Sequence, residues 1–118
     1  MRTIIFTITL LALAACGASA VAADPAAAGG RMFLIHCGGC HAISAAGPNS
    51  LGPRLDAIVA RAKSSPDPAA WLRRAITNPA AETAPGYQPG LMPLYYGQTF
   101  TPAELNSIVT YMLKVGGT

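Results

Sequence analysis

The run Cys37-Gly38-Gly39-Cys40-His41 places two thiols and an imidazole within five residues. Thiols at this spacing can each form a thioether to a vinyl group of one haem, and the histidine that follows can ligate the iron from the same side. Three other chemistries use part of the pattern. A thiol–disulfide site of this spacing belongs in βαβ surroundings, and no strand pattern flanks this one. Zinc takes about four ligands, and Cys37, Cys40, His41 and His36 are too contiguous for a good tetrahedron. A structural disulfide between Cys37 and Cys40 would leave His41 without a role. Haem attachment uses all three side chains.

A haem with one histidine ligand has its sixth position open, and what fills it separates electron transfer from chemistry on small molecules. The chain has four methionines. Met1 lies in the apolar N-terminal segment. Met32 is too close to the attachment site to reach the opposite face. Met112 falls on an apolar helical stripe, where methionine is ordinarily core filler. Met92, in Gly90-Leu91-Met92-Pro93, stands about fifty residues after His41 on a long aperiodic stretch. That length suffices to round the haem edge and return on the far face, so Met92 is read as the axial ligand, with ordinary core packing as its alternative. His36 is the rival ligand, but it directly precedes Cys37 and reads as a partly exposed helix residue.

These side chains need elements to hold them. Asp24-Pro25 is an N-cap followed by proline at the first helical position, and predicts a helix running to about Cys37. Gly29 and Gly30 lie inside it, each costing roughly 1 kcal/mol against alanine. Either another element approaches closely there or the glycines fray the helix start. Residues 44–54 read as a loop with two Gly-Pro steps, followed by a short helix over 56–63. Asp67-Pro68 starts another helix, with Trp71, Leu72, Ala75 and Ile76 as its apolar face and Trp71 as a core residue. Pro79 ends it. Residues 79–100 show no period and read as a functional loop. Thr101-Pro102-Ala103-Glu104 is a capping box opening a last helix with Leu105, Ile108, Val109 and Met112 on one side. The sequence therefore predicts an all-α domain, and Phe33, Leu55, Leu72, Ile76, Leu91 and Met112 are its expected pocket lining.

Residues 1–23 read as a secretory signal: Arg2, then an apolar run over 4–15, then small residues ending at Ala23. The run is too short for a permanent membrane span. Leu13-Ala14-Ala15-Cys16 also resembles a bacterial lipobox, which would make Cys16 a lipidated N-terminus and residues 17–28 a tether. The other reading of Cys16 is a small residue lost with the signal. Beyond residue 23, seven basic and five acidic side chains give +2. Nothing in that balance argues for nucleic acid.

Over nearly all of residues 24–118 the chain resembles the class I monohaem cytochromes c. Gly29, Phe33, Cys37, Cys40 and His41 stand at that family's spacing, Gly52-Pro53-Arg54-Leu55 is similar to its turn, and Met92-Pro93 matches its axial methionine. The resemblance implies three to four helices around one covalent haem c. It implies that His41 and Met92 ligate iron from opposite faces, and that the Pro53 carbonyl accepts the His41 ring N–H. It implies that the aromatic of the last helix packs on Phe33 and Gly29. The expected protein is a periplasmic carrier of single electrons between redox proteins, a terminal oxidase or dehydrogenase among them. It is expected not to be an enzyme, and to meet the membrane only through an anchor at Cys16. The alternatives are a haem subunit held by a larger dehydrogenase or oxidase, and a haem enzyme or gas sensor with a labile sixth ligand.

Overall fold

The computed structural model describes residues 23–44 and 51–117. Residues 1–22 of the expected signal, Cys16 among them, and the first Gly-Pro step of the 44–54 loop lie outside them. The helices are α1 (Pro25–His36), α2 (Leu55–Lys63), α3 (Pro68–Thr77), the single-turn α4 (Tyr96–Thr99) and α5 (Pro102–Val115), with a 3-10 turn at Pro79–Ala81. There is no strand among the described residues. The all-α class holds.

Each long helix but α2 begins where its sequence supplies a side-chain acceptor for an orphan N–H. Asp24 Oδ1 accepts from Ala26 N–H at 2.9 Å. Asp67 Oδ1 accepts from Ala70 N–H at 2.8 Å. At α5 the capping box is closed both ways: Glu104 N–H donates to Thr101 Oγ1 (3.3 Å), and Thr101 N–H donates to Glu104 Oε2 (2.8 Å). Proline occupies the first turn of all three. Helix α3 stops at Thr77 because Asn78, which precedes Pro79, has left the helical region (φ −136°, ψ 64°).

Two expectations change here. Residues 79–100 are not one uninterrupted loop, since a 3-10 turn opens them and α4 nearly closes them. A helix of four residues is shorter than the window in which periodicity can show. A tether over 17–28 would also end by Asp24, because Pro25–Ala28 form the first turn of α1.

Helix α1 lies along α5, the most extensive helix pair in the fold. Gly29 makes this possible. A Cβ there would sit 1.9 Å from the Ser107 carbonyl oxygen and 2.9 Å from the Ile108 nitrogen. The two backbones touch, and the glycines of α1 mark close approach rather than fraying. Phe33 is wholly buried at this crossing, with its ring 5.6 Å from that of Tyr111. Tyr111 covers Gly30, 3.1 Å from a Cβ placed there, whereas Gly29 faces the α5 backbone. The implied contact of the α5 aromatic with Gly29 is therefore moved by one residue. Ile43, Val59, Leu72, Ile108 and Val109 complete the fully buried core. Lys63 Nζ donates to the Gly116 carbonyl at 2.8 Å and ties the end of α2 to the end of α5.

Gly29→Ala should therefore lower stability by about 3 kcal/mol or more, the upper end of overpacking costs, despite alanine's better helix propensity. Gly39→Ala, with nothing within 4 Å of its Cβ position, should be close to neutral. Denaturant unfolding of both variants checks the contrast.

Candidate functional site

The end of α1 delivers the Cys37–His41 run directly into a turn. Cys37 N–H donates to Phe33 O (2.8 Å), and the N–H groups of Cys40 and His41 both donate to Cys37 O (3.0 and 2.9 Å). Because Phe33 is locked between α1 and α5, the crossing at Gly29 fixes where this turn begins. Cys37 is half-buried and Cys40 exposed, and both are thiols rather than a disulfide. Burial, and then the neighbouring Cys40 charge, push the Cys37 thiol up to about 11. Among the described residues no three His, Cys, Asp or Glu side chains gather as a metal-ion site, so nothing there supports the zinc reading.

A ladder of hydrogen bonds then joins residues 40–44 to 52–56. Gly52 N–H donates to Cys40 O (2.7 Å) and Leu55 N–H to Ala42 O (2.8 Å). Ser44 N–H donates to Asp56 Oδ1 (2.8 Å), while Arg54 Nη2 donates to Ser44 O (2.7 Å) and pairs with Asp56 Oδ2 (2.9 Å). The ladder sets the Pro53 carbonyl 2.9 Å from His41 Nδ1. A carbonyl can only accept, so Nδ1 carries the proton, and in the neutral ring Nε2 keeps its lone pair. Gly52 leaves room for the ring: a Cβ there would lie 2.5 Å from His41 Cε1 and 2.7 Å from Nδ1.

Cys37, Cys40, His41, Pro53 and Met92 all line one cavity of about 440 Å³. Its apolar wall includes Leu55, Leu72, Ile76, Leu91 and Met112, as expected, joined by Ile58. Phe33 is the exception. It was expected in the lining and instead belongs to the α1–α5 crossing.

Trp71 packs against the core as expected but is only partly buried, and it also lines the cavity, with the Arg61 guanidinium 5.8 Å from its ring centroid. Arg61 is paired with Glu82, and Arg74 lines the same wall. Trp71, Leu72, Arg74, Ala75 and Ile76 of α3, and Asn78 just after it, all line the cavity. His36 and Tyr96 reach the cavity as well. No local pattern announces Tyr96, because its hydroxyl donates to the His36 carbonyl, sixty residues away.

The donor set fits a haem: two thiols, an imidazole with its lone pair at Nε2, a thioether and an apolar wall. The volume lies in the range of small-molecule and cofactor sites, about 300–1,000 Å³. The family model for cytochrome c matches residues 26–116. The chain belongs to the cytochrome c family. No curated protein and no solved structure matches it. This cytochrome is thus a haem-binding electron-transfer protein of class I, with one covalent c-type haem.

Two outcomes follow from the ladder. Gly52→Ala should crowd the His41 ring off the Pro53 carbonyl. Losing that bond makes the imidazole a poorer donor, so the potential should rise by about 40 mV for a bond worth about 1 kcal/mol, read by redox titration. The Ser44 N–H and the Arg54 guanidinium hold the Asp56 carboxyl below its ordinary 3.8. A lowered value means that its stabilisation is whole above 3.8 and fades as pH falls through the folded-state value. Asp56→Asn should lose that contribution at pH 7 and flatten the acid limb of stability, measured by denaturant midpoints across pH.

Proposed function

We propose that this cytochrome is an exported carrier of single electrons, its haem attached through Cys37 and Cys40 and its iron held between His41 and Met92. The observation that supports this most is the convergence of all four side chains on one cavity, from positions up to 55 residues apart in the chain. When bound, the haem supplies one-electron chemistry at iron.

The chain's own residues do the rest. Pro53 holds the His41 proton at Nδ1 and so fixes the ring and raises the basicity of Nε2. The Met92 thioether is a soft, neutral donor that favours the reduced state, so a His/Met pair gives a higher potential than two histidines. A ligand on each face would keep the iron geometry alike in both oxidation states. The apolar wall of Leu55, Ile58, Leu72, Ile76 and Met112 excludes water and disfavours the extra charge of the oxidised site. Arg61, Arg74 and the Trp71 indole are the cavity groups suited to receive the haem carboxylates.

A carrier fits the remaining cavity residues better than an enzyme does. Glu82 is paired with Arg61, and the His36 ring packs edge-on against Phe100 at 5.1 Å. The stretch from 79 to 100 supplies no histidine to act with Glu82 as an acid–base pair. Cys40 is exposed, so redox partners such as a dehydrogenase or terminal oxidase would make contact near it, over the small areas below about 1,200 Å² of brief encounters. Export would deliver the chain to the periplasm, free or anchored through Cys16.

Met92→Ala should lower the potential by on the order of 0.1 V, part of the roughly 0.8 V that axial ligands span. It should also let the ferrous protein bind carbon monoxide quickly. Redox titration and stopped-flow binding read both, and an unchanged potential with unchanged binding would sink the Met92 assignment.

A further inference from the structure

Met92 is partly buried against the core, but the strip that carries it has few hydrogen-bonded ties to the rest of the fold. From Thr83 to Tyr95, among the described residues, no hydrogen bond joins the strip to α1, α2, α3 or α5. The backbone bond from Tyr87 N–H to Ala84 O (3.1 Å) is internal to it. Leu91, Leu94 and Tyr95 are each more than half exposed. The first firm tie after Met92 is Tyr96. This residue is 8% exposed, and its ring stacks on Phe100, with centroids 5.2 Å apart and planes 9° apart. Its hydroxyl donates to the backbone carbonyl of His36 at 2.8 Å, across sixty residues. His36 is the last residue of α1 and directly precedes Cys37. Phe100, under the Tyr96 ring, also meets the His36 ring edge-on.

We propose that Tyr96 is the positioning residue for the sixth ligand, its hydroxyl fastening the methionine-bearing strip to the end of α1 beside the haem-attachment turn. This rests on Met92 as that ligand. Three residues separate the two, and one of them, Pro93, has a fixed φ. Four extended residues span at most about 14 Å, so an anchored Tyr96 confines Met92 to the neighbourhood of the cavity. With Tyr96 released, the next buried residue of the chain is Phe100, and the free tether doubles from four residues to eight. A longer, freer tether lowers the local concentration of the thioether and opens the sixth site more often. Burial pushes the Tyr96 phenol up to about 12, so it remains a donor at neutral pH.

The test uses purified haem-loaded protein: wild type, Tyr96→Phe, Met92→Ala, and Tyr111→Phe as a hydroxyl deletion outside the cavity. The readouts are the carbon monoxide binding rate of the ferrous form and the sulfur–iron absorption band of the ferric form. Tyr96→Phe should bind carbon monoxide about fivefold faster than wild type, the order of one hydrogen bond's net worth, and weaken the sulfur–iron band. Tyr111→Phe should match wild type, and Met92→Ala should be fastest. Tyr96→Phe at the wild-type rate, with Met92→Ala fast, overturns the role of Tyr96 and leaves the ligand standing. Wild type as fast as Met92→Ala overturns the ligand itself and this inference with it. If Tyr96→Phe does not retain haem, hydrogen exchange in wild type decides. The Phe100 amide, which donates to Tyr96 O at 3.2 Å, should open as often as carbon monoxide enters. Entry much more frequent than that opening overturns the proposal.

Discussion

The backbone contact between α1 and α5 at Gly29 is the constraint on which the rest of the site depends. A side chain there would overlap the Ser107 carbonyl, so the helices meet at a distance only glycine allows. That crossing buries Phe33 against Tyr111. Phe33 O in turn accepts the N–H groups of Cys37 and Gly38 (both 2.8 Å). The haem-attachment turn thus inherits its position from a helix crossing two turns upstream. A glycine that weakens an isolated helix strengthens the site by letting the helix dock.

From that turn the structure builds outward along two arms. One is the ladder from residues 40–44 to 52–56, which sets a carbonyl on His41 and decides which ring nitrogen is free. The other is the strip after α3, which carries Met92 and returns to α1 through Tyr96. The first arm is rich in hydrogen bonds and leaves His41 little freedom. The second has few hydrogen bonds among the described residues, and Tyr96 is its best-buried residue near Met92. Under the proposed ligation, the histidine side would be the permanent one and the methionine side the one able to open.

Much of this was legible in the sequence because it is local. Cys37, Cys40 and His41 are contiguous. Asp24-Pro25, Asp67-Pro68 and Thr101-Pro102 each put acceptor and proline side by side, and the helices start there. What the sequence hid was what depends on distance. Phe33 was expected in the cavity wall and packs instead at the helix crossing, since helical periodicity names a buried face but not what it is buried against. Trp71 packs against the core but also lines the cavity with Arg61, because a face turned to a cofactor space has the same spacing as one turned to protein. Helix α4 is one turn long, and its bond from Tyr96 to His36 spans sixty residues, so neither leaves a local trace.

Met92 is proposed to close the site opposite His41. The proton NMR spectrum of the ferrous protein tests it most directly. A methyl group bound through sulfur over a haem lies in the ring current of the macrocycle and moves far upfield of any other methyl. Ligation by Met92 gives one such methyl, assigned to Met92. A spectrum with no upfield methyl, or with that methyl assigned to Met32 or Met112, would contradict it.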